Sequence, residues 1–124
     1  MKFGWVTINV RNMEESLAFY RDIAGLTVHR SMKPMPGTEI VFLGIDGQTT
    51  EVELICNDKN ASPSHGKDIS IGFEVDSLDR QMETLRSHRL TIAGPFQPGP
   101  TIRFIYVDDP NGVKVQFFQN LHDK

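Results

Sequence analysis

Hydrophobic and polar positions alternate with two different periods along this chain, and the two periods take turns in a fixed order. Phe3 to Val10 alternates with period two, as a strand does. Asn12 then stands where a helix cap belongs, with Glu15 three residues on, as in a capping box. Met13, Leu17, Tyr20 and Ala24 follow at helical spacing, and Gly25 supplies a stop signal. Three strand-like runs come next: Leu26 to Ser31, Glu39 to Leu43 and Thr50 to Asn57. Pro34, Pro36 and Gly37 mark the first turn between them, and Asp46-Gly47 the second.

The second half repeats the programme. Asp68 to Val75 reads as a strand, and Asp76 or Ser77 can cap a helix that carries Leu78, Met82 and Leu85 on one stripe. Leu90 to Ala93, Thr101 to Val107 and Val113 to Phe118 read as strands. Pro95, Pro98 and Pro100 break the chain before the second of these, and Asp109-Pro110-Asn111-Gly112 forms the last turn. A shift of 65 residues carries Val10 to Val75, Met13 to Leu78, Leu17 to Met82 and Tyr20 to Leu85. Four core-type positions at one offset predict a duplicated βαβββ unit. The expected fold is α+β: two βαβββ modules, about 1-57 and about 67-120, forming a curved mixed sheet with the helices on its outer face. The polar stretch Asn57 to Gly66 joins them, and each half alone is too small for a good core, so residues 1-124 are expected to make one domain.

The strand phases locate candidate chemistry. Each predicted strand offers one apolar phase to pack under a helix. The other phase gathers Trp5, Glu51, Glu53, Ser70, Glu74, Arg103, Lys114 and Gln116. In the seventh strand, Ile102, Phe104 and Tyr106 are assigned to the packed phase and Arg103, Ile105 and Val107 to the polar one. A polar sheet face is either solvated or the lining of a cup. The large apolar members Trp5, Ile55, Ile105 and Phe118 favour a lined cavity or a subunit interface.

Composition narrows the function classes. The net charge of −3 offers no basic surplus for nucleic acid or an anionic membrane. No apolar run is long enough for a membrane span, and the N-terminus alternates instead of building a signal-peptide block. Cys56 is the one cysteine in the sequence, on the phase of Val52 and Leu54, where a small packed side chain is expected. A cytoplasmic protein is expected.

Three stretches carry a family resemblance. Val10-Arg11-Asn12-Met13-Glu14-Glu15-Ser16-Leu17-Ala18-Phe19-Tyr20, followed by Gly25-Leu26, resembles the opening motif of glyoxalase I and its relatives. Glu51-Val52-Glu53-Leu54 resembles their ligand-bearing strand, and Asp109-Pro110-Asn111-Gly112-Val113-Lys114-Val115-Gln116 resembles their closing signature. The chain thus resembles the vicinal oxygen chelate superfamily, which includes glyoxalase I, bleomycin-resistance proteins and ring-cleaving dioxygenases. The resemblance implies four metal-binding positions, which fall on Trp5, Glu53, Ser70 and Gln116. An indole offers no lone pair, a serine hydroxyl is a weak ligand, and an amide offers only its carbonyl oxygen. No tightly bound metal is therefore expected; Glu53 and Gln116 would hold a divalent ion if one binds. His29, His65 and His122 are expected at the solvent and His88 at a helix C-terminus.

Two functions follow from the resemblance. One is a metal-independent small-molecule binder like the bleomycin-resistance proteins, with Trp5, Glu51, Ser70, Arg103, Lys114 and Gln116 lining the site. The other is a lyase or isomerase like glyoxalase I (lactoylglutathione lyase), with Glu53 as base or metal ligand. A third reading makes the polar face a subunit interface. The resemblance also implies a homodimer and a small-molecule partner, while the charge and the absence of long apolar runs point to neither nucleic acid nor membrane as a partner.

Overall fold

The computed structural model describes residues 1–121. The chain divides into two compact units, Met1–His65 and the remainder from Gly66 onward, and the division falls at the end of the polar stretch Asn57 to Gly66. Both units are α+β. Unit one contains β1 (Trp5–Asn9), α1 (Met13–Leu17), a π-helical continuation (Ala18–Ile23), β2 (Thr27–Met35), β3 (Thr38–Gly44) and β4 (Glu51–Asn57). Unit two contains β5 (Ser70–Glu74), α2 (Leu78–Ser87), β6 (Ala93–Gly99), β7 (Ile102–Asp108) and β8 (Lys114–Asn120). Each unit is thus a βαβββ module. Each has its own open four-stranded sheet, with strand order β1-β4-β3-β2 in the first and β5-β8-β7-β6 in the second. In both, the first and last strands of the module pair in parallel and the other neighbours pair antiparallel.

Helix packing decides which sheet face is the core. Asn12 Oδ1 accepts from the Glu15 amide at 2.8 Å and starts α1. Met13, Ser16, Phe19 and Tyr20 are buried, and Ala24 N donates to Phe19 O across a π-type turn. Phe19 and Tyr20 pack edge to face in the core with ring centroids 4.9 Å apart, while Leu17 stays partly exposed. Beneath lie Ile8, Val10, Val41, Leu43, Val52 and Leu54. In unit two, Ser77 Oγ caps α2 by accepting from Arg80 N, and Leu78, Met82 and Leu85 are buried with Ile105, Val107, Val115 and Phe117. The Leu78 amide donates to Gln119 Oε1 at 2.9 Å, so β8 also helps to seat that helix.

Two expectations about strands are corrected. The sixth strand lies over Ala93–Gly99, not Leu90 to Ala93, and runs through Pro95 and Pro98. It is an edge strand with two register irregularities against β7, the setting in which a missing N–H costs the ladder little. β2, the corresponding edge of unit one, likewise runs through Pro34. The phase of β7 is also inverted: Ile105 and Val107 face the helix, while Ile102, Phe104 and Tyr106 share the opposite face. From Ile102 to Val107 both phases are apolar apart from Arg103, so alternation alone assigned them by the wrong residue. Among the described residues, no helix is long and apolar enough to cross a membrane.

Candidate functional site

In unit one, register places Trp5, Thr7 and Asn9 of β1 on the same face as Glu51, Glu53 and Ile55 of β4. β3 adds Ile40, Phe42 and Gly44 to that face, opposite Ile55, Glu53 and Glu51. This is the face turned away from the helix. Trp5 remains 49% exposed, whereas Glu51 and Glu53 are only 9% and 8% exposed. An aromatic bridge helps explain the contrast. Trp5 and Phe42 stand on the two strands that flank β4, and their rings meet edge to face with centroids 5.2 Å apart. The pair therefore crosses the strand that carries both glutamates and shelters them from water.

The two carboxylates differ in their partners. Glu51 is compensated: Arg30 NH2 lies 3.1 Å from its Oε1, and His29 Nδ1 lies 2.8 Å from its Oε2. Consecutive residues on a regular strand point to opposite faces. Here the β2–β3 register shifts between Val28 and Arg30, and this irregularity lets both His29 and Arg30 reach one carboxylate. The Arg30 guanidinium also sits 3.9 Å from the centroid of the Phe42 ring, a cation–π contact. Glu53 instead accepts a 2.6 Å hydrogen bond from the Thr7 hydroxyl and has no cationic partner among the described residues.

The corresponding face of unit two holds Ser70, Gly72 and Glu74 of β5, Lys114, Gln116 and Phe118 of β8, and Phe104, Tyr106 and Asp108 of β7. Gln116 Nε2 donates to the Tyr106 hydroxyl at 3.3 Å, and Lys114 Nζ lies 5.4 Å from the Tyr106 ring centroid. Phe96, Phe104 and Tyr106 form an aromatic cluster on this face. Ser70 is exposed opposite Lys114, and Glu74 accepts from Asn120 Nδ2 at 2.8 Å. A concavity of about 530 Å³ opens at the Lys114 end, bordered also by Arg89, Tyr106 and Asp108.

The sequence-derived residues therefore fall into three groups. Trp5, Glu51 and Glu53 share the open face of unit one; Ser70, Lys114 and Gln116 share that of unit two. Arg103 belongs to neither. It lies opposite Gln119 on the helix side, with its NH2 3.4 Å from Asp79 Oδ1 of α2, so the inverted phase of β7 removes it from the ligand-lining set. Thr7, His29, Arg30, Phe42 and Tyr106 join the faces without having been selected from the sequence. His29 is engaged with Glu51 instead of standing free in solvent, and His65 Nε2 donates to Asn9 O at 2.8 Å. His88 caps the C-terminus of α2, and His122 lies outside the described residues.

The donor set does not fit a transition metal. Of the four positions the resemblance assigns to a metal, only Glu53 offers a strong ligand, and it already holds the Thr7 hydroxyl. Gln116 is bonded to Tyr106 through its amide nitrogen, and the Trp5 ring is packed edge to face with Phe42. Among the described residues, no group of three or more His, Cys, Asp or Glu side chains could hold a metal ion.

Comparison with known proteins agrees with this architecture. A lactoylglutathione lyase of Haemophilus influenzae is 32% identical over 124 aligned positions, spanning 94% of this chain and 91% of that protein. A lactoylglutathione lyase of Neisseria meningitidis is 29% identical, over 96% and 91% of the two chains. Among solved structures, the trypanothione-dependent glyoxalase I of Leishmania major superposes with a TM-score of 0.81 at 23% identity, covering 96% of this chain and 86% of that one. TnmS3, an antibiotic-binding protein from Streptomyces sp. CB03234, superposes with a TM-score of 0.77 at 17% identity, covering 97% and 96%. At these identities the structural likeness establishes the fold. The family model for the Glyoxalase/Bleomycin resistance protein/Dioxygenase superfamily matches residues 2–117, and with the duplicated βαβββ units this shows that the chain belongs to that superfamily.

Proposed function

We propose that this protein binds a small molecule on the open sheet faces of its modules and does so without a tightly bound transition metal. The observation that carries this reading is the state of the four expected metal positions: an indole, a carboxylate already bonded to Thr7, an exposed serine, and an amide bonded to Tyr106. What remains on those faces suits recognition instead of chelation. Apolar surface comes from Trp5, Phe42, Phe104, Tyr106 and Phe118, and orienting polar groups come from Glu51, Glu53, Lys114 and Gln116. An antibiotic-binding protein shares the fold, so it accommodates recognition of organic ligands.

The test is metal analysis of protein purified without chelator, combined with thermal shifts in Ni²⁺, Zn²⁺, Mn²⁺ and Mg²⁺. The expected result is far less than one metal per chain and a melting temperature that moves by no more than about 1 °C, since an ion without a site has no differential affinity for the folded state. Stoichiometric metal, or strong stabilisation by one ion, would overturn the proposal.

A second reading, lyase chemistry like that of lactoylglutathione lyase, is favoured by the name of the relative from Haemophilus influenzae. Under it, the sheltered Glu53 would move a proton as general base. An assay for lactoylglutathione formation and breakdown, with and without Ni²⁺ or Zn²⁺, separates the two. Turnover that Glu53→Gln abolishes would put the enzyme reading first.

A further inference from the structure

We propose that Glu53, Trp5 and Phe42 form a subsite for an organic ammonium group, a protonated amine carried on an apolar skeleton. This rests on the small-molecule reading above and names the ligand chemistry that the face of unit one recognises. The first step is charge. Two carboxylates lie side by side on this face at 9% and 8% exposure, but Arg30 and His29 hold only Glu51. Glu53 has only a neutral hydroxyl beside it, so this carboxylate stands in a sheltered place with no cation among the described residues to compensate it.

The second step is what surrounds that charge. Phe42 stands directly across from Glu53 in the β3–β4 register, and Trp5 is its diagonal neighbour on β1. The two rings meet over β4, and half of the indole remains open to an incoming group. Phe42 already carries a cation, the Arg30 guanidinium at 3.9 Å. Trp5 is the stronger cation–π partner, and among the described residues no cation lies over it.

The third step discriminates among cations. A divalent metal needs lone pairs, and aromatic rings supply none. An organic ammonium donates N–H to a carboxylate, is attracted to an aromatic face, and places its carbon skeleton against the rings. Thr7 occupies Oε1 of Glu53, so Oε2 is the acceptor left for a ligand N–H.

Trp5 is the single tryptophan of the chain, so its emission reports on the subsite directly. The experiment titrates the full-length protein at neutral pH and fixed ionic strength with benzylamine, benzyl alcohol and benzoate. These probes share a ring and differ in charge. Benzylamine is expected to give a saturable change in Trp5 fluorescence, with at least about tenfold tighter apparent binding than benzyl alcohol and no saturation by benzoate. Glu53→Gln, which keeps the shape and the Thr7 contact, should lower benzylamine affinity at least about tenfold while leaving benzyl alcohol unchanged. The wild-type series stands by itself if that variant fails to fold. Equal affinity for the amine and the alcohol, or no saturable response to the amine, overturns the subsite. Binding of the alcohol or benzoate alone would overturn it while leaving the small-molecule reading in place; stoichiometric metal on the purified protein would overturn both.

Discussion

Gly44 leaves space that a methyl group would fill. A Cβ built at that position would lie 2.7 Å from His29 Cε1, so the imidazole reaches Glu51 by lying over a residue without a side chain. Gly44→Ala is therefore expected to push His29 off the carboxylate and cost about 1–3 kcal/mol, the range for leaving a buried acceptor without its partner. Urea denaturation measures the loss, and a cycle with His29→Ala identifies its source. If the imidazole is what the methyl strikes, the Gly44→Ala penalty should shrink to roughly 0.5 kcal/mol or less in the His29→Ala background. An undiminished penalty would assign the cost to the Thr50 carbonyl, 3.3 Å from the same Cβ. This cluster also shows what was and was not legible in the sequence. Trp5, Glu51 and Glu53 emerged from strand alternation, because β1 and β4 are regular over those residues. His29 and Arg30 could not, because a register shift in β2 breaks the alternation that such a reading depends on. Phe42 was hidden differently: only the β3–β4 register shows that it faces Glu53.

At the level of elements, the ends of the two helices answer one geometrical demand with different residues. The π-helical turn of unit one is followed by Gly25 at φ +85°, with the Leu26 amide donating back to Tyr20 O. α2 closes with Leu90 N donating to Leu85 O and Arg89 N to Arg86 O, the paired bonds of a Schellman motif, but its left-handed position holds Arg89 at φ 62°. A side chain with Cβ is strained there, and glycine is not. Arg89→Gly is thus expected to raise stability by about 0.5–1 kcal/mol, less than the full relief because glycine also gains freedom in the unfolded chain. A fall in the urea midpoint would mean that the arginine side chain contributes more than its backbone strain costs. The strand elements show where local reading fails. Prolines read as breaks, yet β2 and β6 run through them, because an edge strand uses only one side of its hydrogen-bonding groups. β7 carries large apolar residues on both phases, with Arg103 on one and Asp108 on the other, so the observed packing is what tells Ile105 and Val107 from Phe104 and Tyr106.

Across the whole molecule, duplication is the level at which sequence and structure agree most closely, and it also sets the limit on each half. Trp5 corresponds to Ser70, 65 residues on; Thr38 corresponds to Ile102, 64 on; and Glu51 corresponds to Lys114, 63 on. The offset found among the early apolar positions thus holds through the first strand and helix, then shortens as the connections differ in length. Sheet order and pairing direction survive those changes, which is what a repeated βαβββ unit requires. Chemistry did not survive equally: Glu53 matches Gln116, and the aromatic Trp5 matches Ser70. Each unit nevertheless consists of one open sheet, one packed helix and about half of a small chain. A domain of roughly 60 residues buries only about 60% of its unfolded surface, and the open face of each unit still carries large aromatic side chains. Residues 1–65 or 66–124 expressed alone are therefore expected to unfold without a cooperative transition, followed by circular dichroism in guanidinium. The full chain is expected to show one steep transition. A sharp, reversible transition in either fragment would show that a single βαβββ unit is a self-sufficient core, and the duplication would then have joined two domains that could already fold.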